Sequence, residues 1–554
     1  IFYISWYDGT CNAYYLCNSR TILESTRGDD LFMLYQIVEG LYIALSFWLA
    51  LYGFNALYLT LRYWRVRHQK INSPPPPPTW PKVTIQLPIY NERHVVRRLL
   101  NAVARIEYPR RELEIQVLDD STDDTAELAE ALVRKMRDAG LNIRYIRRTD
   151  RIGYKAGALA NGLRSAQGEF VAVFDADFVP ATDFLRATVP FFQDAGVGCV
   201  QTRWKALNPY VSSFTRALSV ALDGHYIVEK TAQHRSGYLI NFNGSAGIWR
   251  RSAIDSAGGW QSDTLTEDLD LSLRAQMAGW RFLYLPDVVS QTELPFQIEA
   301  FRLQQARWAK GTVQTFKKLF GKLWSADLPL MSKIEASLML TTYLIHPLLI
   351  VAAGLTAILS LGGSQLPRFL PLLGISALGI PSGLISAQLE NGRPWRQKLL
   401  DIVQMSLIIS GLTATSARSV FEAFLGINSP FRRTPKFETD DQWIKSDYSL
   451  PIHVMVWAEC VTLVLYFVAV AATYSRAYWG AVSIIALPIL GQFYLLYLSL
   501  RQIRRLQNGK NLQRKSTPHQ GIILAKSNRR TVERALSRRR SRKERHLGRE
   551  TSVQ

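Results

Sequence analysis

The chain has 554 residues, a formal net charge of +21 and a hydrophobic content of 48%. This length exceeds what one hydrophobic core supports, and so apolar a composition excludes an ordinary soluble enzyme. The charge is uneven, because residues 501–554 hold 17 Lys and Arg against 3 Asp and Glu. We interpret this tail as a disordered cytoplasmic segment beside anionic lipid, and we expect no nucleic-acid partner.

Apolar segments long enough to cross a lipid bilayer, which takes roughly 20 residues, lie on both sides of a more polar middle region. We predict five transmembrane segments, at residues 34–61, 336–361, 366–387, 451–474 and 478–500. Polar residues interrupt a sixth apolar segment at 399–425, which we expect to lie along the membrane interface. Acidic residues outnumber basic ones in 1–33, whereas several Arg and Lys follow the first segment. The positive-inside bias therefore predicts an extracytoplasmic N-terminal segment and a cytoplasmic middle region.

The middle region begins after a basic and proline-rich linker at 62–80, which includes five consecutive prolines. From residue 81 to about 325, short apolar runs alternate with amphipathic ones. Strands are predicted at 83–87, 114–118 and 170–174, and helices at 124–139 and 154–166. This alternation is typical of a parallel α/β sheet, whose ligands bind at the carboxyl ends of the strands.

Paired carboxylates follow two of these strands. Asp119 and Asp120 come after the second predicted strand, and Asp175 and Asp177 come after the third. Two Asp in a D-x-D spacing suit a hard divalent cation, although alone the spacing is more often a solvated turn. The strand before it favours a functional role. The alternative for the earlier pair is helix capping, which we assign instead to Ser121 and the acids that follow it.

Two further motifs complete a recognisable order. Asp268 stands in a T-E-D sequence, and about forty residues later Gln304, Arg307 and Trp308 form Q-x-x-R-W just before an apolar segment. This order resembles the processive membrane glycosyltransferases of family 2, which include cellulose synthase and hyaluronan synthase. The segments 242–250, 258–260 and 304–308 are most similar to the cellulose-synthase-like A and C proteins, although Ala306 replaces their usual His. The resemblance implies a GT-A-type (Rossmann-like) α/β catalytic domain inserted in an α-helical transmembrane domain.

The resemblance also implies the chemistry of the site. Asp268 would be the catalytic base, with the N-terminal cap of a helix as its competing role. One base without a placed carboxylate nucleophile predicts inversion at the anomeric carbon. Asp175 and Asp177 would bind Mg²⁺ or Mn²⁺. The residues implied to bind the nucleotide-sugar are Pro88, Tyr90, Glu92, Asp119, Asp120, Lys155, Asp175, Gln304, Arg307, Thr434 and Lys436, and those implied to bind the acceptor are Phe242, Gly244, Ser245 and Trp308.

Thr434 and Lys436 belong to a segment, Phe431 to Lys436, that resembles the F-x-V-T-x-K gating loop of cellulose synthase. It departs from that motif at Arg433 and Pro435. It follows the interface segment and precedes a predicted span, within a gating loop expected at 428–440 of the channel domain 326–500. The alternative interpretation is a basic membrane anchor.

From the resemblance we expect a processive inverting β-glycosyltransferase that extends a β-1,4-linked polysaccharide and moves it across the bilayer. The expected donor is UDP-glucose first and GDP-mannose second, and the expected location is a bacterial inner membrane with a cytoplasmic active site. The alternatives are a lipid-directed transferase that adds one sugar, and a transporter or receptor with a degenerate nucleotide domain. A homo-oligomer or an accessory export protein is left open as a partner.

Overall fold

The computed structural model describes residues 12–362, 373–392, 394–427, 433–438, 446, 448, 456–475 and 479–516. Residues 428–432 and 439–440 of the expected gating loop, including Phe431, lie outside this set. The start of the N-terminal segment and the tail beyond residue 516 also lie outside it.

One eight-stranded mixed sheet forms the centre of the middle region, in the order β3-β2-β1-β4-β7-β6-β8-β5. Its first half is parallel, since β1 pairs in parallel with both β2 and β4, and β2 with β3. The strands are β1 (Val83–Ile89), β2 (Leu113–Asp119), β3 (Ile143–Arg147), β4 (Phe170–Val173), β5 (Phe178–Val179), β6 (Val197–Ala206), β7 (Gly247–Arg250) and β8 (Arg281–Thr292).

The second half of the sheet corrects the expectation of a purely parallel arrangement. β7 runs antiparallel to both β4 and β6, and β5 runs antiparallel to β8. The reason lies in the segment before β7, where the Ala246 amide donates to the Val173 carbonyl at the carboxyl end of β4 (2.8 Å). The chain therefore enters β7 where β4 ends, and can only run back along it.

Helices cover both faces of this sheet. The predicted bounds at 124–139 and 154–166 agree with two of them within one residue. The helices around the sheet are α2 (Val96–Val103), α3 (Thr125–Asp138), α4 (Tyr154–Ser165), α5 (Phe184–Thr188), α6 (Ser213–Asp223), α7 (Lys230–Arg235), α8 (Arg251–Ser256), α9 (Glu267–Met277) and α10 (Ile298–Ser325), with a π-helical turn at Gly224–Glu229 between α6 and α7.

The remaining helices are predominantly apolar. They are α1 (Asn12–Val66), α11 (Leu330–Thr341), α12 (Ile345–Leu361), α13 (Gly379–Glu390), α14 (Trp395–Gly411), α15 (Thr413–Phe424), α16 (Val456–Ser475) and α17 (Trp479–Ser516). Within the described residues, two helical stretches, Met33–Val66 and Leu330–Leu361, are long and apolar enough to cross a membrane. α14 and α15 meet at a 42° bend and together make a third candidate, as one broken span or a re-entrant pair. The other expected spans lie partly outside the described residues.

Polar contacts fasten the sheet region to the apolar helices. Arg235 of α7 donates to the carbonyl oxygens of Val66 and Arg67 at the end of α1 (3.0 and 2.7 Å). Lys310 of α10 donates to the carbonyl oxygen of Ile427 just beyond α15 (2.5 Å). Both cationic side chains here donate to carbonyl oxygens at or just beyond a helix end, where intrahelical donors run out.

Candidate active site

The D-x-D carboxylates lie at the carboxyl end of β4, and each is paired with a lysine. Lys155, in the first turn of α4, lies 2.6 Å from Asp175 Oδ1 and donates to the Gly244 carbonyl oxygen (2.8 Å). Lys436 Nζ donates to Asp177 Oδ2 (2.6 Å). Burial raises the pKa of Asp175. At Asp177 burial is opposed by the Lys436 ammonium together with hydrogen bonds from the backbone and Thr292, which hold the pKa below its ordinary value.

The T-E-D residues lie on the other side of Lys155, at the start of α9. Lys155 Nζ is 4.0 Å from Glu267 Oε1, and Asp268 Oδ1 accepts from the Leu269 amide (2.9 Å). Burial raises the pKa of both carboxyl groups, and burial lowers that of Lys155 less than the surrounding carboxylates raise it. The competing cap role is not filled in the usual way, because the N-cap position of α9 is Thr266 and Asp268 accepts from the amide of its own neighbour.

The segment before β7 crosses directly over Asp268. Gly244 has a φ of +82°, and a Cβ atom built there would lie 2.8 Å from Asp268 Oδ2 and 3.3 Å from Lys155 Nζ. Only glycine suits this conformation and this separation. Ser245 and Phe242 nearby are fully buried, with the Ser245 hydroxyl accepting from the Asp175 amide (2.9 Å) and the Phe242 amide donating to the Ser272 hydroxyl (2.9 Å).

The earlier carboxylate pair divides into two environments. Asp119 is fully buried and accepts from the Tyr145 hydroxyl (2.6 Å) and the Ser121 amide (2.8 Å). Asp120 faces the guanidinium of Arg148, which binds both of its oxygens. The capping role assigned to Ser121 is wrong, since its hydroxyl accepts from the Asn91 amide (2.9 Å) and α3 begins at Thr125.

The P-x-Y-N-E residues lie at the end of β1, and the parallel pairing of β1 with β2 brings them beside these carboxylates. Pro88 is aligned with Leu118 in that pair. The Tyr90 ring lies 3.3 Å below the guanidinium carbon of Arg151. Glu92 Oε2 is 3.0 Å from Arg433 Nη1, and burial raises the pKa of Glu92 to about 8.

The Q-x-x-R-W motif lies on the first half of α10, which packs against the T-E-D segment. Gly311 allows this packing, because a Cβ atom there would lie 2.6 Å from Thr266 Cγ2. One turn earlier, Arg307 is close enough to Glu267 to lower its pKa in part. Gln304 and Trp308 are partly buried on the same helix.

The described part of the expected gating loop, residues 433–438, lies over the D-x-D. Lys436 is 8% exposed and Thr434 is 7% exposed, so the segment is buried rather than lying on the surface as an anchor would. The Thr434 hydroxyl is buried and has no hydrogen-bond partner among the described residues. A buried hydroxyl without a partner, two residues before Lys436, has a donor left for a ligand.

Sequence reasoning missed three charged residues that shape this site. Glu293 lies just beyond β8 and contacts the 433–438 segment, and burial raises its pKa to about 7. Arg148 pairs with Asp120. Lys230 is fully buried next to residues 242–246, the segment before β7 that the resemblance implies to bind the acceptor and that we call the acceptor segment. It donates to the Asn241 carbonyl oxygen (2.8 Å), and burial lowers its pKa to about 7. None of the three stands in a recognisable pattern, since even Glu293 follows the mixed polar and apolar sequence of β8.

A divalent cation would find oxygen ligands here. Among the described residues, no group of three or more His, Cys, Asp or Glu side chains is arranged around a metal position. Asp175 and Asp177 nevertheless fit such an ion, because hard carboxylate oxygens suit Mg²⁺ and Mn²⁺ and each already faces a cationic ammonium.

Known proteins match the region that holds this site. Residues 81–311 match the family described as "Glycosyltransferase like family 2". Glucomannan 4-beta-mannosyltransferase 2 of Arabidopsis thaliana is 43% identical over 245 residues, which are 43% of this chain and 46% of that protein. Probable glucomannan 4-beta-mannosyltransferase 7 of Oryza sativa subsp. japonica is 35% identical over 354 residues, 61% of this chain and 60% of that protein. The chain thus spans about half the length of the curated relatives it matches.

Among solved structures, a mannosyltransferase from Pyrobaculum calidifontis in complex with GDP-Man and Mn²⁺ is 25% identical. It covers 71% of this chain and 100% of its own, with a TM-score of 0.47.

A mixed sheet with carboxylates at the carboxyl ends of β2 and β4, the latter linked through Lys155 to the start of α9, is a GT-A-like glycosyltransferase fold. The resemblance seen in the sequence is confirmed at the level of the domain. The domain that spans residues 81–311 belongs to glycosyltransferase family 2.

Proposed function

We propose that the chain is an inverting hexosyltransferase that extends a β-1,4-linked polysaccharide from a nucleotide-sugar. One observation carries this proposal. The Lys155 ammonium lies between the D-x-D, the T-E-D and the acceptor segment. It is 2.6 Å from Asp175, 4.0 Å from Glu267 and 2.8 Å from the Gly244 carbonyl oxygen. Donor-binding, base and acceptor elements therefore share one centre.

Each residue has a role that follows from its charge and position. Asp268 removes the proton of the acceptor hydroxyl, and its raised pKa brings it closer to the working pH of a general base. Arg307 holds the departing diphosphate, for which a planar guanidinium is well suited. Tyr90 and Asp120 lie on the nucleoside side, and Trp308 offers its ring to the acceptor sugar.

Asp175 and Asp177 would hold Mg²⁺ or Mn²⁺. When bound, the ion neutralises the charge of the diphosphate as it leaves. The buried hydroxyl of Thr434 supplies a hydrogen-bond donor, and the ammonium of Lys436 supplies a positive charge on the same side of the site.

The names of the relatives reverse the order of donors expected from the sequence. Both relatives described above are named as glucomannan 4-beta-mannosyltransferases. We therefore favour GDP-mannose over UDP-glucose, and mannan or glucomannan over cellulose. The lipid-directed alternative is less well supported, since these relatives make a polysaccharide by name.

We also propose that the polymer leaves through the apolar helices. The domains 34–61 and 326–500 form a membrane domain around the catalytic domain at 81–325, with α14 and α15 at the interface and residues 433–438 as part of a gating loop. Two candidate membrane-crossing stretches and the close packing of α10 on the site support this arrangement. A bacterial inner membrane stays a prediction from the sequence.

The test uses membranes that contain the full chain, incubated with radiolabelled GDP-mannose or UDP-glucose. We expect a long product from GDP-mannose that β-mannanase degrades and that the Asp268→Asn variant does not make. A product degraded only by cellulase would overturn the choice of sugar. A single sugar on an organic-extractable lipid would overturn the polymerase assignment.

A further inference from the structure

Glu293 contacts three separate parts of the site: the D-x-D, helix α2 and residues 433–438. It follows β8 directly and is 2% exposed. Its backbone amide donates to the Asp177 carbonyl oxygen (3.2 Å), so its position is fixed relative to the D-x-D. Its own carbonyl oxygen accepts from Lys436 Nζ (2.8 Å), the same ammonium that binds Asp177.

The carboxylate of Glu293 uses both of its oxygens. Oε1 accepts from the Phe437 backbone amide (2.5 Å), and Oε2 accepts from Arg98 Nη2 of α2 (2.7 Å). A charged acceptor makes stronger hydrogen bonds than a neutral one, and leaving a buried donor unpaired is costly. Arg98 therefore holds Glu293 in place, and Glu293 holds the backbone of the 433–438 segment.

Phe437, whose backbone amide binds Glu293, also anchors the 433–438 segment through its buried side chain. Phe437 is 1% exposed, and its ring lies 6.2 Å from the Phe296 ring and 5.5 Å from the His94 ring, centroid to centroid. These ring contacts hold the side chain of Phe437. The hydrogen bond from its backbone amide to Glu293 fixes how deeply the residue lies in the site. Because Lys436 precedes Phe437, that depth sets how far the ammonium reaches toward Asp177.

We propose that Glu293 is a positioning residue that latches residues 433–438 over the D-x-D and so places the Lys436 ammonium at Asp177. The latch is a property of the protein alone. Its meaning for sugar transfer rests on the proposed function, in which Lys436 and Thr434 contribute to binding the donor diphosphate.

The test measures the accessibility of Lys436 in the purified full chain, without any donor. The protein is treated briefly with an amine-acylating reagent, and acylation of each lysine is measured by peptide mass spectrometry. Lys230, which is fully buried on the other side of the acceptor segment, reports unfolding. The variants are Glu293→Gln, the charge-conserving Glu293→Asp, and Glu169→Gln. Glu169 also pairs with an arginine at a strand end, Arg250 (3.2 Å), but on the surface and outside the site.

We expect Glu293→Gln to raise the acylation of Lys436 several-fold while that of Lys230 stays low. Glu293→Asp should restore part of the protection, and Glu169→Gln should match the wild type. Unchanged acylation of Lys436 in Glu293→Gln would overturn the latch. An equal rise at Lys436 and Lys230 would overturn it as well, because Glu293 would then support the fold in general.

A kinetic measurement separates the latch from the proposed function. Loss of one charge-assisted hydrogen bond predicts a fall of about tenfold in kcat/KM for the donor in Glu293→Gln, with Glu169→Gln unchanged. If the wild type transfers no sugar from either donor, the proposed function fails while the acylation result still decides the latch. If Glu293→Gln exposes Lys436 but transfers sugar as the wild type does, the latch is confirmed as a property of the protein and its part in donor binding is overturned.

Discussion

The residues of this site are held by pairs of opposite charge rather than by isolated groups. Lys155 sits between Asp175 and Glu267, Lys436 pairs with Asp177, and Arg433 lies near Glu92. Burial alone would raise the pKa of every one of these carboxyl groups. At Asp175, Glu267 and Glu92 burial prevails, and the pKa stays raised despite the nearby cation. At Asp177 the Lys436 ammonium and further hydrogen bonds together prevail, so the two Asp of one D-x-D shift in opposite directions.

Replacement of Asp268 by Asn should abolish sugar transfer while donor binding is nearly unchanged. The substitution keeps the size and the contact with the Leu269 amide but removes the proton acceptor. A fall in kcat on the order of 10²-fold or more is expected. Initial rates and the binding of a fluorescent GDP analogue are measured on the same preparation. Asp255→Asn is the control, since Asp255 pairs with Arg251 on the surface of α8. Wild-type rates in Asp268→Asn would contradict the assignment of Asp268 as the catalytic base.

Chelation of divalent metal should stop transfer, and Asp177→Asn should abolish Mn²⁺ binding. The substitution removes the charge that a hard cation needs and leaves an amide in its place. Binding of Mn²⁺ is followed by electron paramagnetic resonance, so the result does not depend on turnover. Full activity in excess EDTA would contradict a metal requirement.

The individual motifs could be predicted from the sequence, but their partners could not. Asp175, Asp177 and Asp268 stand in short patterns that follow or precede apolar runs. Glu293, Arg148 and Lys230 belong to no pattern, and their roles arise from contacts with residues far along the chain. Pairing of this kind depends on the tertiary fold, which no local periodicity encodes.

At the scale of elements, α10 connects the catalytic site to the apolar helices. Its first half carries Arg307 near Glu267, and its middle packs Gly311 on Thr266. β1, β2, β4, α3 and α4 were predictable because each is a regular apolar or amphipathic run. The reversed direction of β7 was not predictable, because it depends on where the preceding segment crosses the sheet.

The close contact at Gly311 predicts that Gly311→Ala impairs the enzyme and Gly321→Ala does not. A Cβ at 311 would lie 2.9 Å from the Thr266 backbone nitrogen, so α10 must move away from the T-E-D segment. A Cβ at 321, on the same helix, meets nothing within 4 Å. Gly321→Ala should slightly raise the melting temperature, since alanine favours a helix by about 1 kcal/mol.

We expect kcat to fall about tenfold in Gly311→Ala because a small displacement of Arg307 weakens its hold on the leaving group. Rates and melting temperatures of both variants are compared with the wild type. Equal rates in the two variants would show that the position of α10 does not control transfer.

Replacement of both Thr434 and Lys436 by Ala should greatly reduce the initial rate and shorten the product. Lys436 supplies a positive charge at Asp177 and Thr434 carries a buried hydroxyl two residues earlier, and the double variant keeps Phe437 and its packing. Polymer mass and rate are measured in one detergent preparation. Truncation after Asn508, which removes no residue of the site, serves as the control. Wild-type rate and chain length in the double variant would leave residues 431–436 as a membrane anchor only.

At the scale of the molecule, the chain combines a buried charged site with helices that expose apolar side chains. On α1, Phe47, Trp48 and Leu51 are all about half exposed. Arg235 and Lys310 bind helix-end carbonyl groups and so fix the sheet region to these helices. Such a surface is stable only when lipid or another apolar phase covers it.

The apolar surface predicts that alkaline carbonate leaves the chain in the membrane pellet and that detergent releases it. Carbonate strips proteins held by charge, whereas burial of Met33–Val66 in lipid is not affected by it. Pelleting is assayed by immunoblot against a peripheral membrane protein as the control. Release by carbonate would contradict integration into the bilayer.

The contact between Lys310 and the Ile427 carbonyl oxygen has a consequence for the ammonium at Asp177. Lys436 lies nine residues beyond this anchor, so the connecting chain reaches roughly 30 Å at most. Because Lys436 and Asp177 belong to one chain, the ammonium lies beside the carboxylate at every protein concentration. A free cation at Asp177 competes with this intramolecular partner and not with a partner supplied from solution. The pair therefore sets a threshold that does not change when the enzyme is diluted.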